Sequence, residues 1–98
     1  EGVLIRAVEP RLGIDSMAKR RRQTKTTQLC SGPAKLVQAF GIPKELNGSS
    51  AIHGPIGFYA NPQEEIKDIT VTTRVGIKQA ADWPLRFYVS GSPYISKK

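Results

Sequence analysis

The run Val3-Leu4-Ile5-Arg6-Ala7-Val8 constrains this chain more than any other stretch, because it is apolar at nearly every position and is ended by Pro10. A strand of this kind normally has neighbours on both faces of its sheet, and proline, lacking an N–H, cannot continue the ladder. The residues predict a strand over 2–9, with pairing segments expected ahead of Glu1 in the intact protein. One guanidinium, Arg6, interrupts it. Burying that charge is costly unless it meets a carboxylate or an oriented water. From the residues alone, a structural ion pair or a solvent-facing edge position is the better explanation.

The rest of the chain reads as short elements around one modest core, which is all that 98 residues can enclose. A helix is predicted from about Asp15, whose carboxylate can cap the first turn, to Arg22. Lys19-Arg20-Arg21-Arg22 then lie at its C-terminal end, where the helix dipole favours cations. A polar loop over 23–28 leads into the strongest helix signal. Ser31 or Gly32 can cap, Pro33 is pre-set for the first turn, Leu36, Val37, Ala39 and Phe40 form a stripe, and Gly41 supplies a left-handed stop. Residues 42–61 are broken by Pro43, Asn47-Gly48, Gly54-Pro55 and Gly57, which signal turns. Over 66–77 the chain alternates, with Ile69, Val71 and Thr73 on one face and Thr70, Thr72 and Arg74 on the other, as in a half-buried strand. A last strand is predicted over 85–89. The order strand, two helices, irregular stretch, two strands indicates an α+β domain.

Fifteen Lys and Arg against eight Asp and Glu leave a formal charge of +7, a balance suited to a polyanionic partner. Nucleic acid is the first partner to consider, and a merely solvated basic surface is the plain alternative. The lone Cys30 has no partner for an internal disulfide and reads as a small buried hydrophobe in a reducing compartment. Apolar runs such as Val3 to Ile5 fall far short of the roughly 18–20 residues of a membrane span. The single His53 lies in a turn region without a second ligand at metal-binding spacing, and is expected to be a loop residue. No metal site and no cofactor-binding loop is expected. The chain reads as a cytoplasmic monomer, bacterial from its brief ends, or nuclear if eukaryotic.

Six short signatures occur in order along residues 2–96: GVLIRAVEP from Gly2, LCSGPAKL from Leu29, QAFGI from Gln38, RVGI from Arg74, PLRFYV from Pro84 and GSPYIS from Gly91. Together they closely resemble the C-terminal half of the methylpurine-DNA glycosylase family. The resemblance implies a single domain with a mixed, mainly antiparallel curved sheet and flanking helices, of which this chain is the C-terminal part. It also implies a monofunctional enzyme that flips an alkylated or deaminated purine out of duplex DNA, such as 3-methyladenine, 7-methylguanine or hypoxanthine. The enzyme then hydrolyses the bond from base to sugar, with no cofactor, and leaves an abasic site.

In that family a glutamate activates the attacking water, and it would precede this segment, so the fragment alone is expected to be inactive. The water is also held by an arginine whose place matches Arg6, and by a main-chain carbonyl whose place matches Val75. Leu4 matches an apolar residue of the base pocket, with core packing as the competing explanation, and Gly76 would leave room for the flipped base. Lys35 and Lys44 match basic residues facing the DNA backbone. Arg21 matches a basic residue common in the family and is assigned to DNA attraction. The stacking, wedging and guanine-excluding residues of the family have no counterparts here, so substrate range is not legible. A small non-enzymatic nucleic-acid-binding module is the alternative, and a homologue that binds DNA without cutting is a third reading.

Overall fold

The computed structural model of the chain describes residues 2–66, 68–75 and 82–96. It holds two α-helices, α1 (Ile14–Arg21) and α2 (Pro33–Phe40), and two strands, β1 (Ile69–Thr72) and β2 (Arg86–Val89), with single 3₁₀ turns at Thr26–Gln28 and Lys44–Leu46. This is a small α+β arrangement. The strands pair antiparallel, with Ile69 opposite Val89 and Val71 opposite Phe87. No further strand joins them among the described residues.

The helices end where local chemistry dictates. Pro33 opens α2 behind an extended Gly32, and Gly41 closes it at φ 63°. A side chain at position 41 would combine a left-handed backbone with a Cβ 3.2 Å from Arg20 Cδ, so glycine is required there on two counts. At the start of α1 the structure departs from the sequence reading. Gly13, left-handed at φ 70°, occupies the cap position and Asp15 falls inside the first turn with no side-chain capping bond. Its negative charge still meets the positive end of the helix dipole. Arg22 closes α1 in a left-handed conformation at φ 51°, and its N–H group turns back to the carbonyls of Ala18 and Lys19.

The core lies between the helices and the turn that joins them. Met17 of α1, Ala39 of α2 and the consecutive Leu29 and Cys30 are buried, with Val8, Ile14 and Ala18 packed against them. Leu29 and Ala39 are fully enclosed. The Cys30 thiol lies 3.9 Å from the Met17 sulfur, and burial raises its pKa above the ordinary thiol value, partly offset by the charge of Arg21. Arg20 fastens the helices together by donating from Nε to the carbonyl of Ala39 at 2.7 Å.

Two expectations are corrected. The run 2–9 forms no strand. Strand pairing needs a neighbouring ladder, and none reaches this run among the described residues; the backbone bond that ties it down is Val8 N–H to the carbonyl of Cys30, at 3.2 Å. Secondly, the alternation predicted over 66–77 forms a strand only at Ile69–Thr72 among the described residues, and its apolar positions lie on the open face. Ile69 (54% exposed), Val71 (50%), Phe87 (64%) and Val89 (43%) share the open face, whereas Thr70, Thr72, Arg86 and Tyr88 are half-buried. An apolar stripe on a sheet needs something to cover it, and alternation alone does not say which face is covered.

Candidate active site

A cavity of about 1120 Å³ lies between the segment 2–9 and the run 85–96, with Ser31, Gly32, Glu64, Ile66 and Arg74 completing its wall. Among the described residues, four arginines line it, Arg6, Arg11, Arg74 and Arg86, against two carboxylates, Glu9 and Glu64. Both carboxylates are engaged by one of those arginines. Arg11 grips Glu64 through two bonds of 2.6 Å, Nη1 to Oε2 and Nη2 to Oε1, and reaches Glu9 Oε2 from Nε at 3.2 Å. The bidentate geometry holds the Glu64 carboxyl below the usual carboxylate range, so it is a weak proton acceptor. Among the described residues guanidiniums outnumber carboxylates in this wall, a balance suited to an anionic group.

Arg6 occupies the wall of this cavity and is half-buried. Among the described residues no hydrogen bond or ion pair reaches its guanidinium. A cation in that position gains most from a carboxylate or a fixed water brought against it. Leu4 lines the same cavity, and at 68% exposed it is no part of the core. Val75 is half-buried in a turn beyond β1 and is not among the residues lining the cavity, although its neighbour Arg74 is. Gly76 lies outside the described residues.

The basic candidates separate into different surroundings. Lys35, in the first turn of α2, is half-buried and directs its ammonium to Gln28 Oε1 at 3.2 Å and Ser31 Oγ at 3.5 Å. Lys44 is exposed in the 3₁₀ turn after α2. Arg21 folds back on the chain, giving Nε to the carbonyl of Leu29 (3.1 Å), Nη2 to that of Gln28 (2.9 Å) and Nη1 to Gln38 Oε1 (3.2 Å). His53 is exposed in a turn, its backbone N–H held by Ser50 Oγ.

Reasoning from sequence did not single out Arg74 and Arg86 as site residues, yet both line the cavity beside Arg6. Arg86 lies over the Tyr88 ring, 4.6 Å from its centre, within cation–π range. The available signal was their position: Arg74 follows Thr70 and Thr72 at strand spacing, and Arg86 pairs with Thr72 across the ladder. Both fall on the face that the fold half-buries.

No group of three potential metal ligands occurs among the described residues, and no helix among them is long and apolar enough to cross a membrane.

A protein of Methanoculleus marisnigri carried under the provisional name 3-methyladenine DNA glycosylase is 50% identical over 101 aligned residues, covering 100% of this chain and 53% of its own length. Proteins under the same provisional name from Carboxydothermus hydrogenoformans and Enterococcus faecalis are 45% and 40% identical, with 52% and 44% of their lengths covered. The chain thus spans about half the length of the curated relatives it matches. The family model described as methylpurine-DNA glycosylase matches residues 1–93, and this chain therefore belongs to the methylpurine-DNA glycosylase family.

Proposed function

We propose that this chain forms the C-terminal half of a base-excision repair DNA glycosylase domain, a monomer that takes a damaged purine out of duplex DNA and hydrolyses its bond to the sugar. The observation that carries the reading is Arg6: among the described residues it is half-buried on the wall of a cavity where guanidiniums outnumber carboxylates, and it has no partner. Such a group is placed to hold a water and to keep an incoming carboxylate ionised at neutral pH.

In this reading the carboxylate belongs to a glutamate outside the 98 residues. Glu9 and Glu64 are poor candidates, because Arg11 binds both and the bidentate contact lowers the proton affinity of Glu64. The glutamate accepts a proton from water as the water oxygen bonds to the anomeric carbon. The bond to the purine nitrogen breaks with its electron pair leaving on the base. Arg6 orients that water, the carbonyl of Val75, outside the cavity lining, is assigned to it by family resemblance alone, Leu4 contributes to the wall of the base pocket, and the glycine at 76 leaves the base room. No cofactor or metal enters the reaction.

Extruding the base costs a few kcal/mol, least at pairs already weakened by damage, which fits alkylated or deaminated purines such as 3-methyladenine, 7-methylguanine and hypoxanthine. Lys35 and Lys44 supply phosphate contacts that hold the duplex without reading its sequence. Arg21 adds positive charge and acts through the turn that it grips. The setting is the bacterial cytoplasm, or the nucleus if the source is eukaryotic.

The test is the yield of abasic sites from duplexes carrying each damaged purine. They are treated with the 98-residue chain, and with the chain extended by the portion of the M. marisnigri relative outside the match. Excision by the extended protein and none by the chain alone is expected. Excision by the chain alone would place the catalytic base within it, and binding without excision by the extended protein would leave a non-enzymatic DNA-binding module.

A further inference from the structure

We propose that Arg21 is a positioning residue rather than a phosphate ligand: its guanidinium locks the Gln28–Ser31 turn, and through that turn it sets both the segment bearing Arg6 and the ammonium of Lys35. The catalytic and DNA-facing roles of Arg6 and Lys35 rest on the function proposed above; the mechanical linkage does not.

Three of the five N–H donors of Arg21 are engaged within the chain, one at a part-buried carbonyl and two at the surface. Two go to the successive carbonyls of Gln28 and Leu29 and one to the Gln38 side chain on α2. A single fork thus joins α1, the connecting turn and α2. The turn it grips is the most enclosed part of the chain, with Leu29, Cys30 and Ser31 at 0%, 1% and 2% exposure. Two contacts leave this turn towards the candidate site. The carbonyl of Cys30 receives the Val8 N–H at 3.2 Å, two residues from Arg6. Gln28 Oε1 and Ser31 Oγ receive the Lys35 ammonium.

Only a planar fork can serve adjacent carbonyls and a third acceptor from one fixed position, and a lysine ammonium cannot reproduce it. With carbonyl dipoles already against it, the Arg21 charge is also badly placed to meet a phosphate. Its neighbour Arg20 is fastened in the same way, to Ala39. The basic run 19–22 therefore includes two arginines that act as internal ties.

Amide hydrogen exchange on the extended protein separates the possibilities, using Arg21→Ala, Arg21→Lys and the milder Gln38→Ala, which removes one arm of the fork and tests the idea even if Arg21→Ala fails to fold. The expected result is about tenfold faster exchange at Val8, Gln28 and Leu29 in both Arg21 variants, a smaller rise in Gln38→Ala, and unchanged exchange in the β1–β2 ladder. Uniform acceleration of all amides would reduce Arg21 to a general stabiliser and overturn the proposal.

Duplex binding against salt gives the second arm. Both Arg21 variants should change the slope alike, through the displaced Lys35 ammonium, whereas a slope smaller by about one in Arg21→Ala and retained in Arg21→Lys would identify a phosphate contact. In the extended glycosylase, both variants should slow single-turnover excision about 10- to 100-fold, with no more loss of DNA affinity than Lys35→Ala shows. Wild-type excision rates alongside loosened exchange would confine Arg21 to the fold and refute the link to Arg6. Absence of excision in every protein, wild type included, would count against the proposed function and leave the exchange result to decide the linkage.

Discussion

Leu29→Ala removes a side chain with 0% exposure from a core whose other buried apolar residues are Met17, Cys30 and Ala39. The deletion amounts to about three methylene groups, worth roughly 0.8 kcal/mol each in transfer. The cavity term raises the total to about 3–5 kcal/mol, because two helices and a fork of hydrogen bonds hold the surroundings in place. At about 0.05 kcal/mol per residue, a chain of this size has only about 5 kcal/mol in all. One substitution should therefore consume most of its stability and lower the midpoint by at least about 12–24 °C. Phe87→Ala is the control. It removes a larger side chain that is 64% exposed, and should change the stability of the chain by no more than about 0.5 kcal/mol. Urea unfolding followed by far-UV circular dichroism gives both values. A cost below about 1 kcal/mol for Leu29→Ala, or equal costs for the two variants, would refute this placement of the core.

Three further outcomes follow from the site. Lys35→Ala should weaken duplex binding and lower the salt slope by about one, measured by fluorescence anisotropy; an unchanged slope would remove Lys35 from the interface. The Glu64 carboxyl is held below the ordinary range by Arg11, so the stability of this latch is present above the unfolded carboxylate value of about 4.3. It is lost as pH falls through the lower folded value, and a carbon-13 titration should show Glu64 returning to the ordinary range in Arg11→Gln, whereas an ordinary value in the unsubstituted protein would contradict the ion pair. The Cys30 thiol, enclosed and shifted upward by burial, should react with an aromatic disulfide only as fast as the chain opens, and faster in Leu29→Ala; immediate labelling of the native chain would refute its enclosure.

What could be read from the sequence was what local chemistry determines. Pro33 and Gly41 bracket α2 because each suits its helix terminus without outside help. Asp15 misled by two positions, since Gly13 could adopt the left-handed cap and leave the aspartate inside the first turn. Segment 2–9 and the open face of β1 and β2 depend on what packs beside them, and no local pattern specifies that. The same limit applies to the site. Arg6 stood out because a cation inside an apolar run is anomalous, but only the family resemblance, not the residues, assigned it to a site. Arg74 and Arg86 did not stand out, because arginines at alternate strand positions read as a solvated face until the fold shows that face lining a cavity. Arg21 looked like one charge among four at a helix end, and only its distances to Gln28, Leu29 and Gln38 reveal where its hydrogen bonds go.

The most direct test of the account is Arg6→Ala in the extended glycosylase, with single-turnover release of hypoxanthine and duplex affinity measured side by side. The account predicts a release rate at least about 100-fold slower with affinity within a few-fold of the unsubstituted protein. Release at the unsubstituted rate would mean that the guanidinium on the cavity wall holds no reacting water.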